Sequence, residues 1–266
     1  MCKGRILISL IADRFRVIAF IAKGGHGSIY LANDSSDGQI KVIKQYDQCE
    51  DLDLDKLDDQ QKKLKSLNFE GILKPQEWLK LNPRLAIYPF IKGGTLHQKI
   101  QKSGVMTLDQ VGVYLAQLVR IADYLHSKNA VHRDIKPDNI FIENDMLYVA
   151  DFDFCHFSEG FLKDLCLSKQ YCQYGSSFYM SPQHLKGRRP SHSMDLYAIA
   201  TMVYFLMTGS YPFGSDLANR FDVSNFKMIS TLTRHQNHCI LKAVHPLESQ
   251  RYKSPIDFYE DLYSAG

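Results

Sequence analysis

Between residues 14 and 48 apolar and polar positions alternate through RFRVIAFIA, GSIYLAND and QIKVIKQY, with Gly-rich and Ser-Ser-Asp-Gly breaks between the runs. A period of two punctuated by turn residues predicts antiparallel strands. Over 50–67 the spacing lengthens to Leu52, Leu57, Leu64 and Leu67 in a polar context. This predicts an amphipathic helix whose acidic start is a solvated face suited to the positive end of the helix dipole. Residues 72–92 return to short strand-like runs. From Leu108 onward the signal is helical, and VGVYLAQLVRIADYLHS (111–127) and MDLYAIATMVYFLMTG (194–209) are long and strongly apolar. The change of regime falls at Ile91–Thr95, where Gly93 and Gly94 interrupt the pattern. The expected fold class is therefore α+β. A small antiparallel-sheet part with one main helix spans 13–91, and a larger, mainly helical part spans 92–266. The sequence runs about fifteen residues past Arg251, so a final helix that is short or truncated is expected.

Composition narrows the functional classes. A chain of 266 residues with 45% hydrophobic and 23% charged residues can bury a sizeable core, which excludes wholesale disorder. A net charge of +3 without a basic stripe gives no reason to expect nucleic acid as a partner. No apolar run approaches the roughly 18 residues of a membrane-spanning helix. Lys3 and Arg5 precede ILISLIA, as in a minimal secretion leader, but Asp13 and Arg14 follow at once, and a first strand is the preferred reading. The six cysteines form no Cys-x-x-Cys pair, which predicts reduced thiols and a cytoplasmic location, with passage into another cell left open.

The chemistry concentrates in two strings. Residues 132–139 read H-R-D-I-K-P-D-N, and Asp151-Phe152-Asp153 begins twelve residues after Asn139. Upstream lie the turn in IAKGGHGSIYLA and a strand carrying Lys44. Together these resemble the signature set of the eukaryotic-type (Hanks-type) serine/threonine protein kinases, over roughly 13–264. The resemblance implies a two-lobed protein kinase fold, with N-lobe 13–91 and C-lobe 92–266. It also implies transfer of the ATP γ-phosphate to a serine or threonine hydroxyl of a protein substrate, with magnesium. Such transfer needs positioning and charge neutralisation more than covalent help.

On this resemblance Asp134 is the catalytic carboxylate that accepts or orients the hydroxyl proton, and Lys136 reaches the transferring phosphate. Asn139 and Asp151 hold magnesium, whose preference for few carboxylates plus phosphate oxygens suits one Asp and one Asn. His132 is a packing residue. The ATP-binding set comprises Ile21, Ala22, Gly24, Gly25, Gly27 and Ile29 around the glycine-rich turn, with Val42 over the adenine and Lys44 on the phosphates. Lys41 competes for the last role, but residues two apart on a strand share a face, so Lys44 points with Val42 and Lys41 points away. Tyr88 is a bulky gatekeeper. Pro89 supplies a carbonyl to the adenine amino group, the N–H of Ile91 meets the ring, and Phe141 lies beneath it.

Several positions depart from the family pattern. Ala22 stands for the first loop glycine. Gln60 stands where a glutamate pairs with the lysine, and Asp59 beside it is rotated by about 100°. Asp153 ends Asp-Phe-Gly as Asp-Phe-Asp, with the tolerance of Asp for left-handed backbone as mitigation. Gln183 replaces a glutamate that pairs with Arg251, and Ala198 and Ala200 replace a small polar residue and a glycine. Lys136 and the run Gly175–Pro182 resemble the serine/threonine group, with Ser176 bonding Asp134 and Lys136. Thr95, where an acid is common in basophilic members, argues against an arginine-directed preference. Arg133 suits docking of a phosphorylated segment at Ser168, Tyr171 or Tyr174, or these are plain loop residues. Cys155, Cys166 and Cys172 read by default as unreactive thiols. Since Asp134, Asn139, Asp151 and Lys44 all remain, an active enzyme is expected. The alternative is a pseudokinase that acts as a nucleotide- or partner-binding scaffold.

Overall fold

A computed structural model describes residues 10–24, 27–47, 53–158 and 176–264, with Ser176 described by its backbone alone. The chain divides into two compact units, Met1–Ser66 with Leu73–Lys92, and Leu67–Ile72 with Gly93–Gly266.

The first unit is built on one antiparallel sheet of β1 (Leu10–Ile11), β2 (Phe15–Gly24), β3 (Gly27–Asp34), β4 (Ile40–Tyr46), β5 (Glu77–Leu79) and β6 (Arg84–Pro89). The strand order is β1-β2-β3-β4-β6-β5. The period-two pattern puts Phe15, Ala32, Ile43, Leu85 and Ile87 into one fully buried cluster. The turn after β3 is fixed by polar chemistry. Buried Asp34 accepts two bonds from Arg14 at 2.8 and 2.6 Å and one from the backbone N–H of Ser36, and Arg14 also reaches Glu77. Helix α1 (Leu54–Ser66) buries Leu57, Asp58, Gln61 and Leu64. Asp58 accepts from Trp78 Nε1 at 2.8 Å and pairs with Lys80 and Arg84. Burial pushes its carboxyl up, but these donors outweigh burial and hold it down at about 2.

The second unit contains α2 (Leu96–Ser103), α3 (Leu108–Ser127), β7 (Ala130–Val131), β8 (Ile140–Glu143), β9 (Met146–Val149), β10 (His156–Phe157), α4 (Pro182–Leu185), α5 (His192–Thr208), α6 (Arg234–Ala243) and α7 (Pro255–Tyr263). Capping boxes start four of the helices, at Thr95, Thr107, Thr233 and Ser254. Thr95 thus has a local structural task. Helix α5 is buried on nearly every face, which explains why Ala198 and Ala200 are accommodated. Two small ladders, β7–β10 and β8–β9, carry the loops of interest.

Leu67–Ile72 packs within the second unit. Asn68 N donates to the Tyr124 hydroxyl at 2.8 Å, Phe69 stacks on Tyr124, and Val149 N donates to the Gly71 carbonyl at 2.7 Å. Gly71 has φ +88°, and a Cβ there would lie 2.6 Å from Ile121 Cδ1 and 2.7 Å from the Leu147 carbonyl. Only glycine lets the backbone approach that closely.

Candidate active site

The loop between β7 and β8 is turned by a buried carboxylate. Asp195, fully buried on α5, accepts from the backbone N–H of His132 at 2.9 Å and of Arg133 at 2.8 Å, and its Oδ2 lies 3.0 Å from His126 Nε2. Burial alone would raise the Asp195 carboxyl, and these donors reverse the direction and lower it. His132 is fully buried, with Nε2 3.1 Å from the Ala150 carbonyl and its ring 4.7 Å from that of Phe152. It is a packing residue, as the sequence implied.

The loop then presents its polar groups to one another. Lys136 Nζ donates to Asp134 Oδ2 at 2.8 Å. Asn139 Nδ2 donates both to that oxygen and to the Asp134 carbonyl, each at 2.8 Å. Asp134 is buried, which raises its carboxyl. The Lys136 charge works against this rise, and the Asp151 charge adds to it. Because the Asn139 nitrogen is spent on Asp134, its carbonyl oxygen is the atom left to face a cation. Ala150 N donates to the backbone carbonyl of Asn139 at 2.9 Å, tying the loop to the segment that carries Asp151. One carboxylate and one amide oxygen from tied segments are hard donors that fit magnesium.

The expectation for Asp153 is corrected here. The left-handed residue is Asp151 (φ 61°, ψ 72°), whereas Asp153 lies inside a 3-10 turn, Phe152–Phe154, closed by Cys155 N onto the Phe152 carbonyl at 2.9 Å. Position 153 therefore makes no demand for left-handed tolerance. Cys155 is buried, and burial pushes its thiol well up, as expected of an unreactive cysteine. Cys166, Cys172, Ser168, Tyr171, Tyr174 and Gly175 lie outside the described residues, as does Gly25 in the glycine-rich turn.

In the first unit, Gly24 pairs with Gly27 and Ala22 with Ile29 across the β2–β3 hairpin, and Ile21 is exposed. A Cβ on Gly27 would lie 1.9 Å from the Gln45 carbonyl, so close approach of β4 by itself requires glycine there. On β4, Lys41 is buried with Ile43, while Val42 and Lys44 share the other face and are half-buried. Lys41 Nζ bonds Gln39 and Gln76 and pairs with Asp37, while Lys44 Nζ lies 5.5 Å from the Tyr46 ring centroid. Tyr88 is opposite Val42, and Pro89 ends β6 opposite Lys41. In the second unit, Phe141 is half-buried on β8 and bridges to Thr95.

Two residues escaped the sequence reading. Gln61, rather than Gln60, lies on the buried face of α1, and its Oε1 has no hydrogen-bond partner among the described residues. Arg220, also buried, donates to the carbonyls of Ser177 and Met180 and so supports the segment leading to Pro182. The Gln183–Arg251 pair is present. Arg251 Nη2 donates to Gln183 Oε1 at 2.7 Å, and Gln183 Nε2 donates to the Pro246 carbonyl at 2.7 Å.

Comparison with known proteins agrees with this geometry. The protein kinase domain family matches residues 15–262. A probable serine/threonine-protein kinase PknB of Lactococcus lactis is 26% identical over 226 residues, covering 82% of this chain and 35% of the relative. The Aurora kinase of Saccharomyces cerevisiae is 26% identical over 245 residues, covering 88% and 65%. A serine/threonine-protein kinase of Myxococcus xanthus is 26% identical over 221 residues, covering 79% and 40%. The chain thus spans about a third to two thirds of the length of these relatives. With nearly the whole sequence inside one domain match, the chain belongs to the Hanks-type protein kinase family and has its α+β fold.

Proposed function

We propose that this chain is an active serine/threonine protein kinase that uses ATP and Mg2+ to phosphorylate a protein hydroxyl. The observation that carries the proposal is the buried Asp134 carboxylate, held by Lys136 and Asn139 beside the Asp151 segment. When bound, ATP and magnesium supply the transferable phosphoryl group and its charge neutralisation. Asp134 orients the acceptor hydroxyl and takes its proton. Lys136, already directed at Asp134, adds positive charge where the transferring phosphate develops negative charge. The side-chain Oδ1 of Asn139 and the Asp151 carboxylate would hold the cation.

In this reading residues 13–91 form the N-lobe, save Leu67–Ile72, which belong to the second compact unit, and 92–266 form the C-lobe. Lys44 engages the phosphates, with Gly24, Gly25, Gly27, Ala22, Ile21 and Ile29 around the nucleotide. Val42 and Phe141 flank the adenine, and the Pro89 carbonyl and Ile91 N–H meet its edge. The partner is a protein bearing serine or threonine, and the working compartment is the cytoplasm.

Purified protein incubated with labelled ATP, magnesium and generic protein acceptors tests this. Asp134→Asn is expected to cut transfer by about 10²–10⁴-fold, the usual worth of a positioned general base. Lys44→Met and Asp151→Ala should each lose most transfer. Wild type indistinguishable from Asp134→Asn would favour the scaffold reading.

A further inference from the structure

Helices α6 and α7 bring three metal-binding side chains together in the second unit. His235 and Cys239 stand four residues apart on α6, and Asp261 comes from α7. His235 Nε2 lies 3.4 Å from Cys239 Sγ and 3.4 Å from Asp261 Oδ1, and the three ligand atoms lie within 4.8 Å of one another. A tetrahedral zinc ion bound by a thiolate, an imidazole and a carboxylate sets its S···N edge near about 3.6 Å and its N···O edge near about 3.3 Å. The two edges at His235, both 3.4 Å, match a site of that size.

The surroundings add a second argument. One ring nitrogen faces Cys239 Sγ, Asp261 Oδ1, the Asp261 carbonyl at 2.9 Å and Ser264 Oγ at 3.3 Å. The Nε2 that bonds the Asp261 carbonyl is thus also the atom that meets the thiol and the carboxylate, and a cation there would replace that one bond with ligation to all three side chains. The other carboxylate oxygen, Asp261 Oδ2, accepts from the Tyr252 hydroxyl at 2.6 Å, the kind of outer bond that fixes a ligating carboxylate. Lys242, the nearby positive group, is directed onto the Tyr252 ring, 3.9 Å from its centroid.

We propose that His235, Cys239 and Asp261 form a binding site for a thiophilic divalent ion of the zinc class, which clamps α7 to α6. On binding, the Cys239 thiol releases its proton to solvent. The thiolate and carboxylate then balance the ion's two charges, and water completes the fourth position. The site uses none of the residues assigned to phosphoryl transfer and does not depend on that assignment.

The test uses the full chain, stripped with chelator and titrated with Co2+, which reports thiolate ligation optically. One cobalt per chain with a thiolate-to-cobalt charge-transfer band is expected, together with a higher melting temperature on adding Zn2+. Cys239→Ser and His235→Ala should each abolish the band and weaken zinc binding at least tenfold in chelator competition. Cys239 is fully buried, whereas the His235 side chain is 38% exposed, so the second variant reports even where the first disturbs folding. Absence of the band in wild type, or its survival in His235→Ala, overturns the proposal.

Discussion

Asp58 and Gln61 share the buried face of α1, and their fates differ. The carboxylate is met by Trp78, Arg84 and Lys80, while the Gln61 carbonyl oxygen has no partner among the described residues. Removing one member of a buried polar set strands the others, whereas removing an unmet acceptor relieves a cost. Asp58→Ala should therefore destabilise the chain by about 2 kcal/mol or more. Gln61→Leu should be neutral or stabilising. Denaturant midpoints of the two variants check this contrast, and equal losses would refute it. Neither residue stood out in the sequence, because an Asp-Asp-Gln-Gln run gives no sign of which members face inward. That choice is made by Leu57 and Leu64, which rotate the helix onto the sheet. Asp134, Lys136 and Asn139 were legible for the opposite reason. They bond one another within one short string, so the string itself carries that part of the geometry, whereas His132 is held by the distant Ala150 and Asp195.

Among the elements, the period-two runs became β2, β3 and β4, and the long apolar runs became α3 and α5. Leu67–Ile72 was less legible, since its place depends on Tyr124, Ile121 and Val149, far along the chain. The same holds for the α6–α7 triad, whose His235 and Cys239 share α6 but whose carboxylate comes from another helix. Arg251 binds several elements at once. It donates to Gln183 on α4, to Ser193 on α5 and to the His245 carbonyl, and burial lowers its guanidinium to about 10. Arg251→Ala should cost about 2–4 kcal/mol, because several buried acceptors lose their donor together. Thermal melts check this, and a change under about 0.5 kcal/mol, the ordinary surface value, would count against it.

The molecule as a whole has an acid-sensitive point that the sequence did not show. Burial, helped by the positive charge of Arg133, pushes His184 down to about 4, against an upward pull from Asp195. The unfolded chain takes up that proton near about 6.5, so the folded state is favoured above this pH and loses ground as pH falls toward 4. His184→Phe should flatten the fall in melting temperature between pH 7 and 5. An unchanged slope would show that other groups govern acid sensitivity. At this scale no helix among the described residues is long and apolar enough to cross a membrane.

The backbone at Asp151–Phe154 bears on how departures from a family motif are judged. Glycine is indispensable only where a side chain would force a costly conformation, and here position 153 sits in an ordinary right-handed turn. A carboxylate in that place imposes no backbone strain, and a glycine there would add conformational freedom next to Asp151 without relieving any.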